Sequence, residues 1–151
     1  MNRLPRIPAL IVVLILLSFT HADADTKDVL KALEAIKAST ETGVNYKTYS
    51  ELVTNLKLEI NLLQRTTDDD TEFMKQVKKS YDIYIKCGEL WRGKLDMVRY
   101  GIRSEDDIIL MQDLDKGISQ GFVLAAANLE LIYNTLTNRK RTKTYDKGKK
   151  Q

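Results

Sequence analysis

The chain has 151 residues, 24 Lys and Arg against 21 Asp and Glu, a formal net charge of +3 and 43% hydrophobic residues. This length suits one domain, and the apolar content excludes a chain too polar to bury a core. A single Cys excludes an intramolecular disulfide framework and a Cys-based zinc site, and two Pro and seven Gly exclude collagen-like and Pro/Gly-rich architectures.

The first segment carries targeting signals. Arg3 and Arg6 make a basic start, and Ala9 to Phe19 is an apolar run of 11 residues broken only by Ser18. A bilayer-spanning helix needs about 20 residues, whereas the apolar region of a signal peptide needs roughly 7–15. Ala22-Asp23-Ala24 supplies the small side chains of a cleavage site, with Thr20-His21-Ala22 as second choice and a retained anchor as the alternative. The expected organisation is a signal peptide over 1–24, a helical domain over 25–137 and a basic tail over 138–151, with no transmembrane segment after cleavage.

Cleavage after Ala24 removes Arg3, Arg6, Asp23 and the only histidine, His21, and leaves a net charge of +2. Without histidine the mature chain has no Ser-His-Asp or Cys-His nucleophile activation and no imidazole metal or haem ligand.

Helix one is predicted over about Thr26–Thr40, with Val29, Leu33 and Ile36 on one face, Leu30 beside it, and Asp25 or Thr26 as cap. Gly43 suits a left-handed turn after its end. Helix two follows from Asn45 or Tyr46 to Gln64, its stripe formed by Tyr49, Leu52, Val53, Leu56, Ile60 and Leu63. Thr66 to Asp70 reads as a turn.

Helix three is predicted over about Asp69–Asp96, with the stripe Phe73, Val77, Tyr81, Tyr84, Gly88, Trp91 and Leu95 close to a heptad seam. Gly93 is placed to end or bend it, and Met97 to Arg103 is the next connection. Helix four starts at Ser104, whose hydroxyl caps an acidic first turn, Glu105-Asp106-Asp107. Its stripe includes Leu110, Met111, Leu114, Ile118, Phe122, Ala125, Leu129, Ile132 and Leu136. Gly117 and Gly121 lie near that stripe and mark a break or a tight helix crossing, since each costs about 1 kcal/mol against Ala. No segment alternates with period two. The fold class is therefore all-α, an antiparallel up-down four-helix bundle.

From Asn138 the character changes. Arg139, Lys140, Arg141, Lys143, Lys147, Lys149 and Lys150 face one acid, Asp146, so the tail is +6 and the helical body −4. The tail is expected to be disordered and is a candidate contact for an anionic surface. Nucleic acid is not expected as a partner of an exported chain.

Three further groups compete between packing and function. Tyr49, Tyr81, Tyr84 and Trp91 are candidates for an aromatic-lined ligand pocket, or for ordinary core. Cys87 lies about 80° from the centre of the helix-three stripe at 100° per residue. With Ile83 and Leu90 it forms a second apolar strip, either a homodimer interface with Cys87 as its link or internal packing. Asp68-Asp69-Asp70 with Glu72 lacks the spacing of a calcium loop, and Asp113 and Asp115 point apart on a helix. No metal, cofactor or catalytic residue is assigned.

The pattern G-V-N-Y-x-x-Y-x-x-L over Gly43 to Leu52 resembles small exported helical proteins of bacteria, the likeness covering helix one and helix two. The resemblance implies an exported bundle and brings no activity, cofactor or catalytic residue. The expectation is a non-enzymatic, periplasmic or secreted interaction module whose partner is an envelope protein or a second copy. The alternatives are a small-molecule carrier and envelope-surface association through the tail. No N-x-Ser/Thr acceptor is present.

Overall fold

The computed structural model describes the backbone of residues 9–67 and 71–148 and the side chains of 26–67 and 71–138. Four helices make an all-α bundle: α1 Ala9–Thr42, α2 Tyr46–Leu63, α3 Glu72–Tyr100 and α4 Glu105–Gly148. Arg3 and Arg6, the Asp68-Asp69-Asp70 run, Lys149 and Lys150 lie outside the described residues, as do the side chains of Arg139, Lys140, Arg141, Lys143 and Lys147.

Three boundaries differ from the sequence expectation. α1 does not begin near Thr26 but runs unbroken from Ala9. No Gly or Pro lies between Ala9 and Thr42 to interrupt it. α3 passes through Gly93 and ends at Gly101, where φ is +84°. A lone glycine weakens a helix, but a left-handed residue terminates it. α4 continues to Gly148, so the backbone of 138–148, expected to be disordered, is helical. Thr, Arg and Lys carry no helix-breaking penalty, and cations near a helix C-terminus match its dipole.

The helix starts follow local chemistry. The Asn45 side chain accepts a hydrogen bond from the Thr48 amide at 2.9 Å, and the Thr71 hydroxyl accepts one from the Met74 amide at 3.2 Å. At α4 the Ser104 hydroxyl accepts from the Asp107 amide at 3.2 Å. Asp107 Oδ2 in return accepts from the Ser104 and Arg103 amides at 3.0 and 2.9 Å, a reciprocal capping box. The Arg103 amide foremost, then the Ser104 hydroxyl, hold the Asp107 carboxyl below its usual range.

The core unites one face of every helix: Val29, Leu33 and Ile36 from α1, Tyr49, Leu56 and Leu63 from α2, Met74, Val77 and Tyr84 from α3, and Ala125, Leu129 and Ile132 from α4. The most extensive packing is α3 on α4, followed by α1 on α2 and α2 on α3; of the pairs in contact, α1 and α4 touch least. Along α3 and α4 the contacting pairs are Lys94–Asp115, Cys87–Ile118, Ser80–Asn128 and Gln76–Thr135.

The α3–α4 approach is close. A Cβ on Gly121 would sit 2.2 Å from Cys87 Sγ, and one on Gly117 would sit 3.1 Å from Leu90 Cδ1. The two glycines mark a tight crossing in an unbroken α4. Asn128, 3% exposed, crosses the same seam: its amide nitrogen donates to Ser80 Oγ and to the Gln76 carbonyl, both at 2.7 Å. Such a satisfied polar pair inside an apolar seam opposes sliding of one helix along the other.

Candidate functional site

The aromatic candidates come together, mostly as core. Tyr49 sits between Trp91 and Phe122, with ring centroids 5.4 and 5.6 Å away, and Tyr46 meets Trp91 edge-on at 5.9 Å. The Tyr49 hydroxyl donates to the Tyr84 carbonyl at 2.5 Å. Burial pushes both phenols up, Tyr84 to about 12 and Tyr49 further. Both remain neutral at ordinary pH.

A groove of about 340 Å³ runs along α2 and α3, and Tyr49, Tyr81 and Tyr84 contribute to it together with Tyr46, Lys57 and Arg92. Trp91 does not line it, because its ring packs on Tyr49 and Phe122 instead. The four expected ligand-binding residues thus do not share one pocket. A second groove of about 450 Å³ lies between α1 and α4, lined by Lys37, Glu41 and Glu130 together with apolar Phe122 and Val123. The Tyr133 hydroxyl donates to the Glu34 carboxylate and ties α1 to α4 beside it. Burial first, and then Glu34, push the Tyr133 phenol to about 12.

Of the Ile83–Cys87–Leu90 strip, Cys87 is buried and Ile83 and Leu90 are half-buried. Cys87 is 1% exposed, and its Sγ lies 3.8 Å from the Ile118 carbonyl of α4. Ile83 and Leu90 flank the two glycines of the same helix. This corrects Cys87 as the link of an interface: its sulfur is covered by α4 of its own chain, while Ile83 and Leu90 are half-buried beside it. An 80° offset places a residue toward a neighbouring helix, and glycines on that helix complete the enclosure. Burial raises the thiol to about 11, which keeps it protonated and poorly nucleophilic.

The carboxylates are surface groups. Asp113 is exposed, and Asp115 pairs with Lys94 at 2.5 Å. Among the described residues no group of three or more His, Cys, Asp or Glu is placed to hold a metal ion. Among them, too, no helix is long and apolar enough to cross a membrane.

One surface was not anticipated. Leu95, in the expected helix-three stripe, is 40% exposed, and Leu110, in the helix-four stripe, is 50% exposed. Val98, Tyr100, Ile102, Ile108 and Ile109 are exposed around them. The cause is a mismatch of lengths. The first residue of α2, Tyr46, accepts from Arg92 Nε at 3.2 Å, which sets the α1–α2 turn level with Arg92. α3 continues from there to Tyr100, about 12 Å further at 1.5 Å per residue. The α3–α4 hairpin therefore projects past α1 and α2. Leu95 and Val98 follow Trp91 by four and seven residues, and Leu114 and Met111 precede Ile118 by four and seven. By helical periodicity they continue the core faces past the α1–α2 turn, where Leu95 and Val98 are exposed and Met111 and Leu114 half-buried. The sequence signal that could have located this tip is the excess length of helices three and four over helix two.

Compared with known proteins, the chain matches no family model, no curated protein and no solved structure.

Proposed function

We propose that this chain is an exported, non-enzymatic helical module that works by binding another protein through the projecting α3–α4 tip. The uncovered core face at Leu95, Val98 and Leu110 carries this reading. Exposed apolar side chains that continue a core stripe lower the free energy when another surface covers them. The aromatic rings are engaged with one another and with the Tyr84 carbonyl, which argues against the small-molecule carrier.

The order of contacts supports an up-down antiparallel arrangement. Residue numbers fall along α3 as they rise along α4, and Glu34 meets Tyr133 while Glu41 lies by Ser119. Export rests on the basic start, the short apolar run and the small residues of the N-terminal segment, together with the likeness of the Gly43–Leu52 motif to small exported bacterial proteins.

Two measurements test the proposal. Mass spectrometry of the protein recovered from its native cells should show a mature N-terminus at Asp25. A photo-crosslinking amino acid at position 100 should form a protein adduct in those cells, and the same group at Leu58, exposed on α2, should not. An intact N-terminus would refute processing, and equal or absent adducts at the two positions would refute the tip as the binding surface.

A further inference from the structure

We infer that the occupant of the α3–α4 tip is a second copy of this chain, docked tip to tip about a two-fold axis; this rests on the reading of the tip as a binding surface. The inner faces of two projecting hairpins each lack the pair of helices that α1 and α2 supply elsewhere in the bundle. Two such hairpins facing one another supply the missing pair to each other, and the result is a local four-helix unit built across the axis.

The area fits this occupant. From their exposed fractions, Leu95, Val98, Tyr100, Ile102, Ile108 and Leu110 present roughly 550 Å² of surface, within the range of the largest patch on a typical monomer; Ile109, nine residues from Ile118, lies on the far side of α4 and adds nothing to it. A stable interface buries about 800 Å² per partner, of which about 56–65% is apolar. The tip therefore meets the apolar requirement of a dimer with its own side chains. Tyr100, 72% exposed at the end of α3, is the most exposed aromatic among the described residues and the natural anchor near the axis.

The charge pattern favours self-association over a lipid surface. Between Lys94 and Lys116 there are six carboxylates and four cations. An anionic bilayer would meet a net negative ring. A two-fold contact that sets the end of α3 against the start of α4 in the partner copy brings Arg99 and Arg103 toward Glu105 and Asp106. An isologous interface needs this kind of self-complementarity.

The test is sedimentation velocity on the full chain from 1 to 100 µM, with Val98→Asp/Leu110→Asp as the tip variant and Leu58→Asp as the control. The expected result is a concentration-dependent species of twice 17.3 kDa that reductant does not change. The tip variant should weaken association at least tenfold, whereas the control should leave it intact, both variants retaining the parent helical circular dichroism. A monomer throughout the range, or a dimer that survives in the tip variant, would overturn the inference. Should the tip variant lose its helical signal, the Tyr100→Ser chain decides instead, since position 100 is exposed and outside the core: lost dimer supports, retained dimer overturns. The crosslink at position 100 separates the two levels of failure. An adduct of two chains supports the second copy, an adduct with a different protein refutes the second copy and keeps the binding surface, and no adduct refutes both.

Discussion

Replacing Gly121 with alanine probes the tightest glycine position among the described residues. The added methyl carbon would lie 2.2 Å from Cys87 Sγ and 3.9 Å from Ile83 Cγ2. Ordinary contact between heavy atoms lies near 3.5–4.0 Å, so α3 and α4 must separate or the thiol must rotate. Cys87 is 1% exposed, and α4 fills the space around its sulfur. Overpacking a core costs about 1–3 kcal/mol, and the size of this overlap places the cost at about 3. Alanine recovers about 1 kcal/mol of helix propensity, which leaves a net loss of about 2 kcal/mol. Urea denaturation followed by circular dichroism would read this as a midpoint lower by about 1 M, for a slope near 2 kcal/mol per M. The Cys87→Ala background removes the clashing atom. There Gly121→Ala should cost nothing or stabilise slightly, giving a coupling energy of about 2–3 kcal/mol in the double-mutant cycle. An unchanged or raised midpoint for Gly121→Ala, or an equal loss in both backgrounds, would refute the close α3–α4 crossing.

Other sites should respond differently. Gly93→Ala adds a methyl group with nothing within 4 Å in the middle of α3 and should raise stability by about 0.5–1 kcal/mol; a lower urea midpoint would contradict the open space beside it. Asn128→Ala strips the Ser80 hydroxyl and the Gln76 carbonyl of a donor and should cost about 2–3 kcal/mol, part of which returns in the Asn128→Ala/Ser80→Ala pair; strict additivity would deny the network. The alkaline limb should report Cys87. Its folded pKa is raised from 9.0 to about 11, so between these values the folded chain holds a proton that the unfolded chain has lost. The Cys87 contribution should thus be constant below pH about 9 and then fall with rising pH, by about 1.4 kcal/mol per pH unit up to about 11. Urea midpoints from pH 8 to 10 would check this, and equal slopes for the parent and Cys87→Ala would count against it.

The elements themselves are local products, and the amino-acid sequence determines them. Val29, Leu33 and Ile36, and Tyr49, Leu56 and Leu63, announce one-sided helices through their spacing, and these residues are the buried ones. Asn45 and Ser104 are caps because their short polar side chains reach backbone amides three residues on, an interaction confined to one turn. Gly43 and Gly101 sit at positive φ, where glycine alone lacks a Cβ clash. The expected disorder of 138–148 failed because charge density signals the lack of a core to join, while an α-helix needs only its own backbone bonds to continue from a packed segment.

Tertiary structure decided everything that depends on two helices meeting. Whether Gly121 breaks a helix or admits a neighbour depends on Cys87, which lies 34 residues earlier and is brought there by the α3–α4 register. Whether the aromatic stripe forms a pocket depends on which rings fill the space first, and Trp91 turns toward Phe122 rather than toward the groove beside Tyr81. Leu95 and Leu110 carry the same apolar periodicity as Trp91 and Ile118, yet they are exposed because α1 and α2 end below them. Periodicity states which face of a helix is apolar; burial further requires an opposing helix long enough to cover it, and that length belongs to another part of the chain.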